Sequence, residues 1–398
     1  MSSTVKLAFK KHAPDYFLMA LVWFLVIFGL TMISSVSVFE SYTVTKKLDP
    51  ANPRNDFYLW RDFWHILVSL PVFWVALKIP YRFWKKAAHL CFGASIILLI
   101  LLFTGFGVKL GGATAWLHIP FLPSIQPAEI AKLGLILYLA SWLEGRREEL
   151  QTLESGFYPF SMIVGTVVLL LVLQPDFGTV LMVVAIALAL YYAAGACIKH
   201  LLSGLGVSLF LALIVILTVP YVNQRMKVFL DPTIDPKSRN VGWQIQQALI
   251  AVGNGGWYGL GFGKSVQKYG YLPEVESDTI FAVSAEELGF LRIGFIVLAF
   301  LLVGWRGFQI ANRAPDRFAK MAAVGITSWI VFQAFLNIAV NLKIFPLTGI
   351  TLPFVSYGGS SLVIVIFTTG ILLNISQYTS RAYEDLVYRG RHWRTPLS

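Results

Sequence analysis

The chain has 398 residues, of which 57% are hydrophobic and only 13% charged, with a mean hydropathy of +0.68. A soluble domain of this length needs about a quarter of its residues charged to cover its surface, so a water-soluble globule is excluded. The formal net charge of +11 invites a nucleic-acid partner, but its distribution sets that partner aside: the basic residues occupy the connectors between apolar runs.

Those runs lie near residues 16–38, 63–79, 88–107, 127–143, 157–174, 177–194, 201–220, 278–305, 321–344 and 360–378. Segments of about 18 or more apolar residues cross a hydrocarbon core as helices, and these are too long and continuous for barrel strands. The expectation is an all-α polytopic membrane protein, one domain over residues 1–398, with about ten transmembrane helices. Residues 1–14 are basic, but the run that follows is too long for a signal peptide and no small-residue cleavage pattern follows it, so it is expected to be retained. With the N-terminus inside, the cytoplasmic pieces hold Lys6, Lys10, Lys11, Arg82, Lys85, Lys86, Arg146, Arg147, Lys199, Arg306, Arg313, Arg317, Lys320 and the arginines of the C-terminal tail. The outer loops hold fewer: Lys46, Lys47, Arg54, Arg61 and Lys109. This bias predicts an inner-membrane protein with both termini cytoplasmic. Cys91 and Cys197 read as packing residues, and the scattered histidines form no metal-ligand spacing.

Ionisable residues inside spans are costly, which makes each a candidate for function. Glu129 and Lys132 share one helical face of span four, either as an ion pair that fixes packing or as the wall of a hydrophilic cavity. Asp176 sits where a carboxylate would cap the start of span six. Residues 221–277 then form a large structured extracytoplasmic loop between helices 7 and 8, too rich in Trp, Tyr and Phe to be disordered. Within it, Trp243, Gln246, Gln247 and Ile250 have the spacing of a short helix on the membrane surface, over 242–253. Gly253, Gly255, Gly256, Gly259, Gly261 and Gly263 predict tight turns after it. Asp278 stands where this loop re-enters the membrane, placed equally well for a helix cap or for catalysis. Glu286 and Glu287 lie two turns deeper, and at least one must face the interior. Lys343 either snorkels to headgroups or binds a phosphate. The segment 346–361, with Pro346, Pro353, Gly349, Ser356, Gly358 and Gly359, predicts a re-entrant loop whose amides face something polar.

At these motifs the chain resembles the SEDS family of shape, elongation, division and sporulation proteins, which includes FtsW, RodA and SpoVE. The resemblance rests on Gln126 to Lys132, Gln174 to Thr179, Phe229 to Pro232, Leu272 to Glu274 leading to Asp278, Ala285 to Gly289, and Leu352 to Ser361. Lys264 to Lys268 followed by Tyr271 to Glu274 looks most like the FtsW branch. The pattern departs in places. Glu276-Ser277 replaces the usual His-Thr, Thr279 stands where Phe is common, and Gly111 to Trp116 lacks the family's arginine. Thr348 stands where many FtsW proteins have lysine, and Lys343 where glycine is more usual.

The resemblance implies a peptidoglycan glycosyltransferase that polymerises lipid II at the outer membrane face during cell division. It also implies work beside a class B penicillin-binding protein, a transpeptidase, and other divisome proteins. The family's essential carboxylate maps onto Asp278. The donor bond is α and the product bond β, so the displacement inverts and needs one base; pyrophosphate leaves as an anion and needs no acid. Arg225, Lys264, Lys268, Lys343, Ser356 and the amides of Gly358 and Gly359 are the candidates to bind the pyrophosphate. Asp278 with Glu274, Glu276 and the pyrophosphate is a weak Mg²⁺ candidate; no protein-built metal site is expected. The rival readings are a lipid II flippase using Glu129 and Lys132, a scaffold that activates its transpeptidase without chemistry, and an elongation role in place of division.

Overall fold

Asp15 opens the first helix of the computed structural model by accepting the Leu18 amide at 3.0 Å, satisfying one of the donors that every helix start leaves free. The structure describes residues 11–110, 113–118, 124–231 and 241–379. Lys6, Lys10, Gly111, Gly112, Pro232 and the tail arginines fall outside them.

Ten helices among the described residues follow the predicted spans: α1 (Tyr16–Val36), α3 (Phe57–Lys78), α4 (Tyr81–Leu101), α5 (Pro127–Leu143), α6 (Tyr158–Leu173), α7 (Phe177–Ala193), α8 (Ile198–Thr218), α11 (Ile280–Asn312), α12 (Arg317–Asn341) and α13 (Gly359–Ser376). Seven meet length and hydropathy for crossing a bilayer by themselves, α6 with the turn before it. The other three are α5 and α7, at 17 residues each, and α3, whose first turns carry Arg61, Asp62 and His65.

Three expectations are corrected. The third span stops at Leu101, and a short antiparallel hairpin follows, β1 (Gly107–Leu110) with β2 (Ala113–Leu117). Span one is continued by a separate helix, α2 (Val38–Leu48). The segment 221–277 holds two helices, α9 (Pro220–Leu230) and α10 (Val241–Gly255). The latter does not simply lie on a surface: Gln244, Gln247, Ala248, Ala251 and Gly255 are buried, and the helix packs against the start of α11.

The core is built around α12, which packs against α5, α7, α11 and α13. Of its 25 residues, those from Met321 to Ile330 are all buried. At the opposite extreme, α8 buries no residue, as expected of a helix whose solvent is lipid on nearly every side. The end of the bundle that carries residues 219–279 (the loop end) is where the polar machinery collects.

Candidate functional site

The eighth span is not one helix. At Gly289 the backbone reaches φ 76°, ψ 173°, a conformation essentially confined to glycine, and the helix breaks. The glycine turns after α10 fill that break. Leu260 and Gly261 donate their amides to the carbonyls of Glu286 and Glu287, each at 3.0 Å, while Phe290 and Leu291 donate to Gly256 and Trp257 at 2.8 and 3.2 Å. The approach is too close for side chains. A Cβ on Gly255 would lie 2.1 Å from the Ala285 carbonyl oxygen, and one on Gly289 would lie 2.2 Å from the Gly259 nitrogen. Broken backbone at membrane depth is tolerated because protein, not lipid, satisfies it. The result is a short inner segment from Ile280, with every side chain through Glu287 buried.

Both glutamates of this segment clamp the loop. Glu286 accepts the Ser265 hydroxyl in a short bond, together with the Gln267 amide at 3.4 Å. Glu287 accepts the Ser35 hydroxyl at 2.8 Å, the Gly263 amide at 3.0 Å and the Lys268 ammonium at 2.9 Å. Lys268 spends its remaining donors on Ser35 Oγ at 3.1 Å and the Gly263 carbonyl at 2.8 Å, and its side chain is 3% exposed. An ammonium has three N–H groups, and all three are engaged, so Lys268 is a structural strut and not a pyrophosphate ligand as the sequence suggested.

Asp278 stands at the head of the segment, buried and close to the loop end. The cap position belongs to Thr279, with no side-chain cap bond, so the capping role is not the one Asp278 plays. Its carboxylate accepts Gln244 Nε2 of α10, 3.3 and 3.4 Å from the two oxygens. Its main-chain carbonyl accepts Nδ2 of both Asn337 and Asn341, each at 2.9 Å, and Asn337 Nδ2 also holds the Ile350 carbonyl at 2.8 Å. Gly349, at φ 73°, brings the 346–358 loop against the carboxylate: a Cβ there would be 4.0 Å from Oδ2. Burial, reinforced by the Glu274 charge, pushes Asp278 up to about 7, against the pull of Arg225 and the hydrogen bond from Gln244. Burial likewise raises Glu276 to about 7.

Arg225 is the cation that acts on this carboxylate. Its Nη1 donates to the Leu347 carbonyl at 2.9 Å, its guanidinium lies 4.2 Å from the Tyr221 ring centre, and its buried Nε has no partner among the described residues. Lys343, half-buried, follows α12 at φ 54°, and Lys264 is exposed on the glycine loop. Neither ammonium bonds a described residue. The Ser356 hydroxyl accepts its own loop's Leu352 amide at 2.8 Å, which ties it to loop geometry. Gly358 and Gly359 begin α13, and the Tyr357 amide before them donates to the Glu276 carbonyl at 2.8 Å.

The remaining candidates buttress this wall. Lys132 Nζ reaches Glu129 Oε1 and Gln333 Oε1, both at 2.9 Å, and Gln333 Nε2 donates to the Thr351 carbonyl at 3.1 Å. With 5% and 2% of their surface exposed, Glu129 and Lys132 form a closed pair joining α5, α12 and the 346–358 loop. Asp176 caps α7 through the Thr179 amide at 3.1 Å and hydroxyl at 2.7 Å, and Gly178 packs against the Thr348 carbonyl. Sequence reasoning passed over Gln244, Gln333, Asn337 and Asn341. Three of them are amides four residues apart in one apolar span, a polar stripe on one helical face that could have been read. Among the described residues no three His, Cys, Asp or Glu side chains converge as a metal cage, and no step is derived through a metal.

A family model described as "Cell cycle protein", covering FtsW, RodA and SpoVE, matches residues 16–381. The chain is 37% identical over 374 residues to stage V sporulation protein E of Bacillus subtilis, covering 93% of this chain and 99% of that protein. It is also 37% identical over 364 residues to a probable peptidoglycan glycosyltransferase FtsW of a Geobacter species, covering 91% and 96%. Its fold matches a chain of a solved peptidoglycan synthase complex at TM-score 0.75 and 29% identity, covering 93% of this chain and 99% of that one. It matches the crystal structure of Thermus thermophilus RodA at TM-score 0.68 and 27% identity, covering 93% and 98%. The family match over residues 16–381 and the identity to these relatives along nearly the whole chain place it in the FtsW/RodA/SpoVE family of cell cycle proteins.

Proposed function

We propose that this peptidoglycan glycosyltransferase polymerises lipid II, with Asp278 as its general base, and serves cell division. The observation that carries the reading is the environment of Asp278. It is a buried carboxylate whose main chain is pinned by two asparagines, and one arginine only partly offsets the burial and the Glu274 charge that raise it. A base of that strength is half ionised near neutrality, where it accepts a hydroxyl proton most effectively.

In the reaction, the 4-hydroxyl oxygen of the acceptor GlcNAc forms a bond to the anomeric carbon of the donor MurNAc. The bond from that carbon to the pyrophosphate oxygen breaks on the opposite face, and the electron pair leaves with undecaprenyl pyrophosphate. The hydroxyl proton passes to Asp278. Arg225 offers the leaving group charge, supported by Lys343, Lys264 and the free amides of Gly358 and Gly359. Any Mg²⁺ would arrive with the pyrophosphate as part of the substrate, next to Asp278, Glu274 and Glu276. The basic residues at the opposite end of the bundle support an inner-membrane orientation with cytoplasmic termini, which puts Asp278 on the outer side. The solved synthase complex supports a class B transpeptidase as partner, and the similarity to FtsW supports a divisome setting.

The test is lipid II polymerisation by the purified protein with its cognate transpeptidase, wild type against Asp278→Asn. Glycan ladders from the wild type alone are expected. Ladders from both would discard the base, and ladders from neither, with an intact complex, would favour a flippase or a scaffold.

A further inference from the structure

Beside the site lies a second polar group that the proposed reaction does not use. Three buried polar atoms there have no partner among the described residues: Oδ1 of Asp62, Nδ1 of His65 and Oε2 of Glu276. Asp62 is 2% exposed and Glu276 7%. Buried polar atoms are almost always paired, so three orphans in one neighbourhood call for an explanation.

Tyr357 joins them. Its amide donates to the Glu276 carbonyl at 2.8 Å, and its phenol, pushed up chiefly by burial, lies in the fields of Asp62, Glu276 and Arg61. Its ring meets Tyr58 edge-on at 4.9 Å and His65 at 5.9 Å. His65 in turn packs against the first residue of α13, 3.1 Å from where a Gly359 Cβ would be. The three rings are half-buried and the two carboxylates sit deeper.

The chemistry selects the ligand. The two buried carboxylates outnumber the one cation near them, Arg61, and so disfavour a phosphate, and the described residues supply no three-ligand metal group. Sugar hydroxyls, in contrast, donate to carboxylate and imidazole acceptors, and the C–H face of a pyranose packs on aromatic rings. We propose that Tyr58, Asp62, His65, Glu276 and Tyr357 form a subsite for an uncharged saccharide, which on the polymerase reading above is the acceptor. The placement fits that reading. Arg225 is bonded to the Leu347 end of the 346–358 loop and Glu276 to its Tyr357 end, so a cation and an acidic, aromatic wall flank the segment of Asp278.

The test titrates the β-1,4 GlcNAc–GlcNAc disaccharide, which is uncharged and free of lipid and pyrophosphate, onto the full-length protein in nanodiscs, with inorganic pyrophosphate as a second probe. Asp62→Asn and Tyr58→Ala are each expected to weaken disaccharide binding roughly tenfold or more and to leave pyrophosphate binding unchanged. If Asp62→Asn does not fold, Tyr58→Ala and His65→Gln carry the comparison. Unchanged disaccharide affinity in the folded variants, or no binding by the wild type, overturns the subsite and leaves the orphaned atoms to water. Because binding needs no turnover, the two readings fail separately. A wild type that binds the disaccharide in an Asp62-dependent way but forms no glycan sinks the polymerase alone. Glycan synthesis with normal binding by the variants sinks the subsite alone.

Discussion

Replacing Lys268 by methionine separates the structural account of the loop from the account suggested by its sequence. The ammonium is 3% exposed, its three donors go to Glu287, Ser35 and Gly263, and Glu287 itself is fully buried. Methionine keeps the volume but leaves Glu287 as a buried charge with only neutral donors, the Ser35 hydroxyl and the Gly263 and Ser265 amides. Breaking one side of a buried pair in this way costs about 3–5 kcal/mol. The loss should appear as a marked fall in apparent Tm in detergent or nanodiscs. Glu287→Gln should fall similarly, and the double variant by much less than the sum, with a coupling on the order of 2 kcal/mol. Lys268→Met with an unaltered Tm but lost activity would refute the strut and return Lys268 to the substrate.

Three further outcomes are expected. Gly289→Ala should lower Tm by forcing a side chain into a glycine-only conformation, about 1–3 kcal/mol before the clash with Gly259 is added; a variant as stable as wild type would refute the interlocked break. Initial polymerisation rates should rise about tenfold per pH unit up to a plateau above about pH 7, because the base must be ionised, and Arg225→Gln should move that limb to higher pH by removing the charge that lowers Asp278. A limb unmoved by Arg225→Gln would separate the two residues. A raised carboxylate contributes stability while protonated and loses it as pH rises through about 7, so Asp278→Asn should raise Tm more at about pH 8 than at about pH 5, and equal shifts at both would refute its burial.

Much of the site's cast was readable in advance, because membrane chemistry makes polar residues conspicuous. Asp278, Glu129, Lys132, Asp176 and the glycines after α10 all stand out against apolar surroundings, and the structure gives each a specific setting. Their division of labour was not readable. Lys268 and Arg225 look alike as cations near the loop, yet one is locked into a buried pair and the other acts on Asp278. Gln244, Asn337 and Asn341 carry no charge, so nothing in composition ranks them above other polar residues until they are seen around one carboxylate.

The sequence by itself determined the solvent and the helical class. Chain segments that long and apolar can satisfy their backbone in lipid only as helices, so hydropathy alone decides the matter. It also marked the loop end as the candidate place of chemistry, since aromatic residues, glycines and carboxylates concentrate there. Only the tertiary structure decided that the eighth span is two pieces, since a hydrophobic run reads the same whether or not Gly289 breaks it. The break is held by backbone bonds from residues about thirty positions earlier in the chain and by a glycine-to-glycine approach, long-range contacts that leave no trace in local pattern.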